Sequence, residues 1–420
     1  MVDSIDGGAV DALGGERLDW RFKAVPASAD GMSVADVRAA PIPLDAFGTP
    51  LLTLDAGALD HNIAAMAAWT RDAGVDLAPH GKTTMAPALW RRQLDAGAWG
   101  VTLANLPQLR VARAFGVRRL MLANALADPA GLAWIGAQLD ADPEFAFLSW
   151  ADSVRTVELM DEALRAARAS RPVDVCVELG GPHGRTGART GAEARAVADA
   201  VRRAPTLRLA GAGGYEGAFA HDASAESRAA VDAYLRRVAD LHRNLDYETD
   251  EPVVTAGGSA YFDQVVEVLG PLPGRTVLRS GAYVIHDDGF YRGISPFARG
   301  AGASRTRLRS AMHGWARVVS RPEPALALLD AGKRDVPYDE GMPEPQLVRG
   351  KGAAPVAGAR VTAVNDQHGF LRDASAEVGD VVRLGLSHPC TALDKWTLIP
   401  VVDDADAERP RVVDLVRTWF

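Results

Sequence analysis

Two short segments of the chain carry residue types from which a reactive centre can be built. The first is Leu77-Ala78-Pro79-His80-Gly81-Lys82-Thr83-Thr84. Lys82 follows a short apolar run. An amine held there, partly desolvated and flanked by His80, can lose its proton near neutral pH and attack a carbonyl. That is the chemistry of a Schiff-base lysine; the plainer alternative is a solvated loop lysine, the commoner use of this residue. The second segment is Ser387-His388-Pro389-Cys390, after the apolar run Val381 to Leu386. In an extended chain residues i and i+2 face the same side, so His388 and Cys390 can reach one ion. Imidazole with thiolate favours zinc over magnesium or calcium, and two protein ligands leave the site open. A loop histidine beside a buried cysteine is the alternative. His368, in Asn365-Asp366-Gln367-His368-Gly369, is open to three readings: a further ligand, a group that orients one, or a turn residue.

The elements that must position these residues alternate. Apolar runs at Val75 to Ala78, Gly100 to Ala104, Arg119 to Ala123, Phe145 to Ser149, Val173 to Leu179, Leu207 to Gly213, Val253 to Ala256 and Thr276 to Leu278 are separated by helical or loop stretches. Eight strands joined in this way predict a closed parallel (β/α)8 barrel, with Leu51 to Asp55 as a surplus strand that pairs outside it. Beyond about Val284 the helical periodicity fades. Runs such as Trp315 to Val319, Ala325 to Leu329, Val361 to Val364 and Val381 to Leu384 predict a mostly antiparallel β-domain. The expected division is an N-terminal extension over 1–48 packing on the β-domain, an α/β barrel over 49–283, and the β-domain over 284–420.

In a parallel barrel the residues that follow each strand converge on one mouth. Those positions hold Lys82, Asn105, Arg185 in Gly184-Arg185-Thr186-Gly187, Tyr215 in Gly214-Tyr215-Glu216-Gly217, and Gly257-Gly258-Ser259. A lysine, an arginine, a tyrosine and a Gly-Gly-Ser turn are the groups needed to hold an aromatic aldehyde that bears a phosphate. The turn precedes a helix expected to begin near Ala260, so its N–H groups and the helix N-terminus are candidate phosphate donors. Read singly, each has an ordinary structural alternative: a plain turn, a surface ion pair, a core aromatic.

Bulk properties narrow the function classes. The 420 residues carry 46 Lys plus Arg against 54 Asp plus Glu, a net charge of −8, with basic residues dispersed among acidic ones. Nucleic acid is therefore not expected as a partner. Only two cysteines, Cys176 and Cys390, are present, which argues for a reducing compartment and against a disulfide framework. Met1 to Gly15 is acidic and Gly-rich, and no 18 apolar residues run together, so a cytoplasmic protein with no membrane partner is expected.

Taken in order, Pro79-His80-Gly81-Lys82-Thr83, Gly184-Arg185-Thr186-Gly187, Gly214-Tyr215-Glu216-Gly217, Gly257-Gly258-Ser259, Arg279-Ser280-Gly281-Ala282-Tyr283, Leu328-Leu329-Asp330-Ala331-Gly332-Lys333 and Ser387-His388-Pro389-Cys390 resemble the D-serine dehydratase and D-threonine aldolase family. These are fold-type III pyridoxal phosphate enzymes with an alanine racemase-like barrel. The resemblance runs from about Thr49 to Lys395 and lies in the ordered set rather than in any one motif. It implies pyridoxal 5'-phosphate bound at Lys82, with Tyr215 at the pyridine nitrogen; His80, beside Lys82, and Asn105, at the barrel mouth, are expected at the cofactor by position. It further implies Arg185 near the phenolic oxygen, Gly257, Gly258 and Ser259 around the phosphate, and Tyr283 at the pocket edge. His388 and Cys390 would hold a divalent metal, normally zinc in the dehydratase branch. Members are commonly homodimers in which the barrel of one subunit faces the β-domain of another. Thr84-Met85 stands where the family often has a second His-Lys pair.

The expected activity is β-elimination from a D-3-hydroxy amino acid such as D-serine, giving a 2-oxo acid and ammonia. His-x-Cys resembles the dehydratase branch, whereas the aldolases carry His-x-Asp. The alternative is retro-aldol cleavage to glycine and an aldehyde. A racemase of this fold needs a second base and gains nothing from His388 and Cys390. A non-catalytic pyridoxal phosphate carrier needs no appended β-domain.

Overall fold

The computed structural model describes residues 4–182, 184–299, 307–350 and 353–420. Strand β1 (Leu51–Asp55) is followed by β2 (Asp76–Leu77), β3 (Val101–Leu103), β4 (Arg119–Ala125), β5 (Ala146–Ala151), β6 (Val173–Glu178), β7 (Leu207–Gly213), β8 (Val253–Ala256) and β9 (Arg275–Leu278). Strands β2 to β9 pair in parallel as one eight-stranded sheet, in the order β2-β9-β8-β7-β6-β5-β4-β3. Its two ends meet: Trp99 N–H donates to Leu77 O at 2.7 Å and Thr102 N–H to Pro79 O at 3.0 Å, so the sheet closes into a barrel.

The barrel strands are apolar on both faces because helices cover the outside and side chains fill the inside. Ala78, Met121, Leu148, Trp150, Cys176, Ala210, Val253 and Val277 form that interior. Gly211 is needed there, since a Cβ would lie 2.3 Å from Val253 O and 2.6 Å from Cys176 Sγ. The surrounding helices start where the sequence supplies a cap. Thr190 and Glu193 close a capping box on Gly191–Arg203, which buries Ala194, Val197, Ala198 and Val201 on one face.

The second sheet contains β10 (Met312–Glu323), β11 (Leu326–Leu329), β12 (Glu344–Arg349), β13 (Ala353–Pro355), β14 (Arg360–Val364), β15 (Gly369–Arg372), β16 (Val381–Gly385), β17 (Leu398–Val402) and β18 (Arg411–Arg417). Its pairs are antiparallel except β1 with β17. Strand β1 lies between β10 and β17, outside the barrel, and so ties the start of the barrel segment to the β-domain.

The N-terminal segment divides between the two layers. Leu18, Phe22, Val34, Val37, Leu44 and Phe47 share a core with Trp315, Leu398, Val412 and Leu415 of the β-domain. Ile5 and Val10 instead join the larger core of the barrel, where Asp6 N–H donates to Phe115 O and Arg91 pairs with Asp11 at 2.6 Å. Among the described residues no helix is long and apolar enough to cross a membrane.

Candidate active site

The loops after the barrel strands enclose a cavity of about 410 Å³ whose walls include His80, Lys82, Arg185, Tyr215, Gly257, Gly258, Ser259, His388 and Cys390. Lys82 lies in the single turn Gly81–Thr83. The turn is pressed against the helix Pro87–Asp95: Trp90 Nε1 donates to Gly81 O at 3.2 Å, and a Cβ on Gly81 would lie 2.8 Å from Val101. Burial holds the Lys82 ammonium below the usual lysine range; Cys390 pulls it back up, while Arg185 and Arg279 lower it further. His80 is held well below its ordinary value by burial and by the cations of Lys82, Arg279 and Arg185, so its ring is neutral.

Arg279 belongs to this site although only its motif, not the residue itself, stood out in the sequence. It directly follows β9 and is buried, with Nη1 donating to Thr255 Oγ1 at 2.5 Å and Nη2 to Gly214 O at 2.6 Å. Its guanidinium stacks 4.7 Å from the Trp150 ring. Trp150, Asn124 and Tyr291 also line the cavity.

Tyr215 is wedged between two glycines. A Cβ at Gly217 would lie 2.5 Å from the Tyr215 hydroxyl, and one at Gly258 would lie 3.1 Å from its ring. Arg185 lies 5.1 Å from the centre of the same ring. Burial and neighbouring Glu216 push the phenol up to about 12, so it stays protonated.

The Gly257-Gly258-Ser259 turn differs from expectation. Gly257 has φ +99°, a conformation that favours glycine. Its N–H and that of Gly258 donate to Glu216 Oε2 at 2.9 Å and Oε1 at 2.7 Å, so a buried carboxylate already occupies both donors. The following helix is Phe262–Leu269, two residues later than expected. Ser259 is buried and faces the cavity.

Two further expectations need correction. Asn105 is not a wall of the cavity; its side chain caps the helix Leu106–Ala114 by accepting from Gln108 N–H. Tyr283 lies in the core at 2 % exposure rather than at the pocket edge, because its hydroxyl is drawn to Gln93 Nε2 at 2.9 Å. Of the three readings of His368, the turn residue fits: it is exposed between β14 and β15 and is not among the residues that line this cavity.

His388 and Cys390 do converge, by a different geometry from the extended chain expected. His388 has φ 53° and ψ 82° and initiates the helix Pro389–Leu393. Its Nδ1 lies 2.5 Å from Asp339 Oδ2, which leaves Nε2 available. Neighbouring Cys390 and Asp339 raise the imidazole to about 9 against the effect of burial. Burial would push the Cys390 thiol up, but His388, Thr83 and Lys82 outweigh it and bring the thiol below its usual range. A carboxylate-oriented imidazole beside a thiolate-prone cysteine is a donor set suited to zinc. Both residues come from the same chain as Lys82. Among the described residues no group of three or more His, Cys, Asp or Glu that could hold a metal is present.

The barrel side of the cavity also fits an aromatic aldehyde phosphate. His80 Nδ1 and Trp150 Nε1 are buried without a hydrogen-bond partner, and both residues line the cavity beside Lys82. Arg185 and Arg279 supply positive charge there.

Comparison with known proteins agrees with this architecture. The alanine racemase N-terminal domain model matches residues 54–283, and a serine dehydratase domain model matches residues 311–402. The D-threonine aldolase of Arthrobacter sp. is 29% identical over 376 residues, 87% of this chain and 92% of that protein. The solved D-threonine aldolase of Filomicrobium marinum is 26% identical with a TM-score of 0.75, covering 90% of this chain and 97% of its own. Two solved variants of D-threo-3-hydroxyaspartate dehydratase share the fold. A metal-free cysteine-to-alanine form is 21% identical with a TM-score of 0.70, over 89% of this chain and 97% of that one. A histidine-to-alanine form, altered two positions away, is 20% identical with a TM-score of 0.72, over 92% and 98%. With more than half of its length matched by the first model, the chain belongs to the alanine racemase N-terminal domain family of fold-type III pyridoxal phosphate proteins.

Proposed function

We propose that the protein is a pyridoxal phosphate- and metal-dependent lyase that eliminates water from a D-3-hydroxy amino acid such as D-serine, releasing a 2-oxo acid and ammonia. The observation that carries this reading is the meeting of Lys82 with His388 and Cys390 in one cavity. When bound, pyridoxal phosphate supplies an electron sink for the substrate α-carbon, and a divalent metal, zinc by its ligand types, supplies a Lewis acid for the β-hydroxyl.

Lys82 holds the cofactor aldehyde in this reading. Its lowered pKa keeps more of the amine unprotonated near neutrality, the state that bonds a carbonyl and that, once freed, accepts the α-hydrogen. Tyr215, whose hydroxyl stays protonated, would be the donor for the pyridine nitrogen, Arg185 would offset charge at the phenolic oxygen, and Ser259 would contribute to the phosphate end. His388 and Cys390 hold the metal, and Asp339 keeps the His388 ring turned so that Nε2 remains free. The solved dehydratase variants, altered at a histidine and a cysteine two positions apart, support this reading, since His388 and Cys390 have the same spacing.

A second reading, retro-aldol cleavage, is supported by the aldolase names of the relatives at 29% and 26% identity. It uses the same residues and differs in the fate of the hydroxyl. Two free cysteines support a reducing compartment, and the family resemblance supports a homodimer. The test is ammonia release by protein loaded with pyridoxal phosphate and zinc. D-serine should react, L-serine should not, and Lys82→Ala should abolish the reaction. Inertness toward both D-serine and D-threonine would sink the lyase reading.

A further inference from the structure

We propose that Asp287 is a positioning residue for the metal-binding pair: its carboxylate fixes the backbone of His388 against the segment that carries Tyr291, and so aims His388 and Cys390 into the cavity. This rests on the reading of His388 and Cys390 as metal ligands.

Asp287 is 1% exposed and both of its oxygens are used. Oδ1 accepts the backbone N–H groups of Gly289 at 3.1 Å, Tyr291 at 2.8 Å and Arg292 at 3.2 Å. Oδ2 accepts the N–H of His388 at 3.0 Å, from a residue 101 positions away. A helix-capping role for Phe290–Ile294 accounts for the first three bonds. It does not account for the fourth, which reaches across to the other segment of the site.

That fourth bond falls where the backbone needs holding. His388 sits at φ 53°, in the left-handed region that residues with a β-carbon seldom occupy. The carbonyl of His388 is held separately, by the N–H groups of Thr391 and Ala392 at 3.2 Å each, whereas its N–H is held by the carboxylate; loss of Asp287 would free the N-terminal side of the residue and let the ring rotate away from Cys390. The two segments are also in close contact. Ser387 Oγ accepts from Phe290 N–H at 3.2 Å and donates to Glu340 O at 2.8 Å. A Cβ on Gly289 would lie 2.6 Å from Ser387, so no side chain fits between them. Asp287 thus sets the backbone of His388 while Asp339 sets its ring, and neither needs to touch the metal.

Asp287→Asn discriminates this role from simple capping, because an amide offers one acceptor in place of two. With its oxygen serving Gly289, Tyr291 and Arg292, its NH2 group would face the His388 N–H. The experiment titrates Co2+ into the full-length protein loaded with pyridoxal phosphate and reads the thiolate-to-cobalt absorption band, with Cys390→Ser as the control that removes it. The expected result is a Co2+ affinity weakened about 10- to 100-fold in Asp287→Asn, with the cofactor absorbance at Lys82 retained. Unchanged affinity in the variant, beside a normal wild-type band, overturns the proposal alone. A wild-type protein without a thiolate band overturns the metal reading and the proposal with it. A measurement that needs no variant is hydrogen exchange of metal-free wild-type protein. The amides of Gly289, Tyr291, Arg292 and His388 should be protected together, and rapid exchange at His388 alone would overturn the proposal even if Asp287→Asn fails to fold.

Discussion

Cys390 Sγ lies 3.5 Å from Thr83 Oγ1, although 307 positions separate the two residues. Thr83 follows Lys82 directly. The β-domain therefore delivers its thiol to the turn that carries the reactive amine, and the two candidate centres of the sequence form one site.

Cofactor uptake should depend on pH through Lys82. Its folded pKa is lowered, so the free amine predominates from a pH below that of an exposed lysine, and the uptake rate should rise with pH to an early plateau. Arg185 is one of the cations that lower it. Arg185→Gln should therefore move the midpoint to higher pH, as followed by stopped-flow absorbance of pyridoxal phosphate binding. A midpoint shifted downward would contradict the electrostatic assignment.

Glu216 should control cofactor affinity without touching the reacting atoms. Glu216→Gln replaces one of two acceptors with an NH2 group that confronts Gly257 N–H or Gly258 N–H. A buried donor left unpaired costs about 1–3 kcal/mol. Pyridoxal phosphate affinity should fall roughly tenfold, which equilibrium dialysis checks; unaltered affinity would mean that the turn does not depend on the carboxylate.

Asp339→Asn should leave cofactor binding intact and weaken zinc binding by about 10- to 100-fold, as expected when a carboxylate partner of a ligating histidine is lost. Competition with a chromophoric chelator measures this. Equal zinc affinity in variant and wild type would remove Asp339 from the site.

Acid should destabilise the fold through two buried histidines. Burial lowers both His286 and His313 from 6.5 to about 4. Above pH 6.5 both are neutral whether folded or unfolded. As the pH falls from 6.5 towards 4 the unfolded chain takes up protons that the folded chain refuses, so stability is lost across that window, on the order of 3 kcal/mol per histidine. Melting temperatures should drop over this interval, and His313→Gln should flatten the decline.

Much of the barrel was legible because its strands are apolar runs largely buried on both faces and alternate with helical stretches. The same logic misplaced Asn105. It follows a strand just as Lys82 does, but Asn before Leu-Pro-Gln is also a helix start, and its side chain serves the helix. Tyr283 was assigned through its motif, whereas its hydroxyl is satisfied by Gln93, 190 positions away. Glu216, Asp287 and Asp339 were missed for a related reason. Their partners are 41, 101 and 49 positions distant, and a carboxylate acquires such a role only once the fold has brought those groups together.

The most direct test of the proposed reaction is the fate of D-threonine incubated with protein loaded with pyridoxal phosphate and zinc. Elimination predicts 2-oxobutanoate and ammonia, lost in both Lys82→Ala and Cys390→Ser. Glycine and acetaldehyde from D-threonine, with no 2-oxo acid from either D-threonine or D-serine, would contradict it.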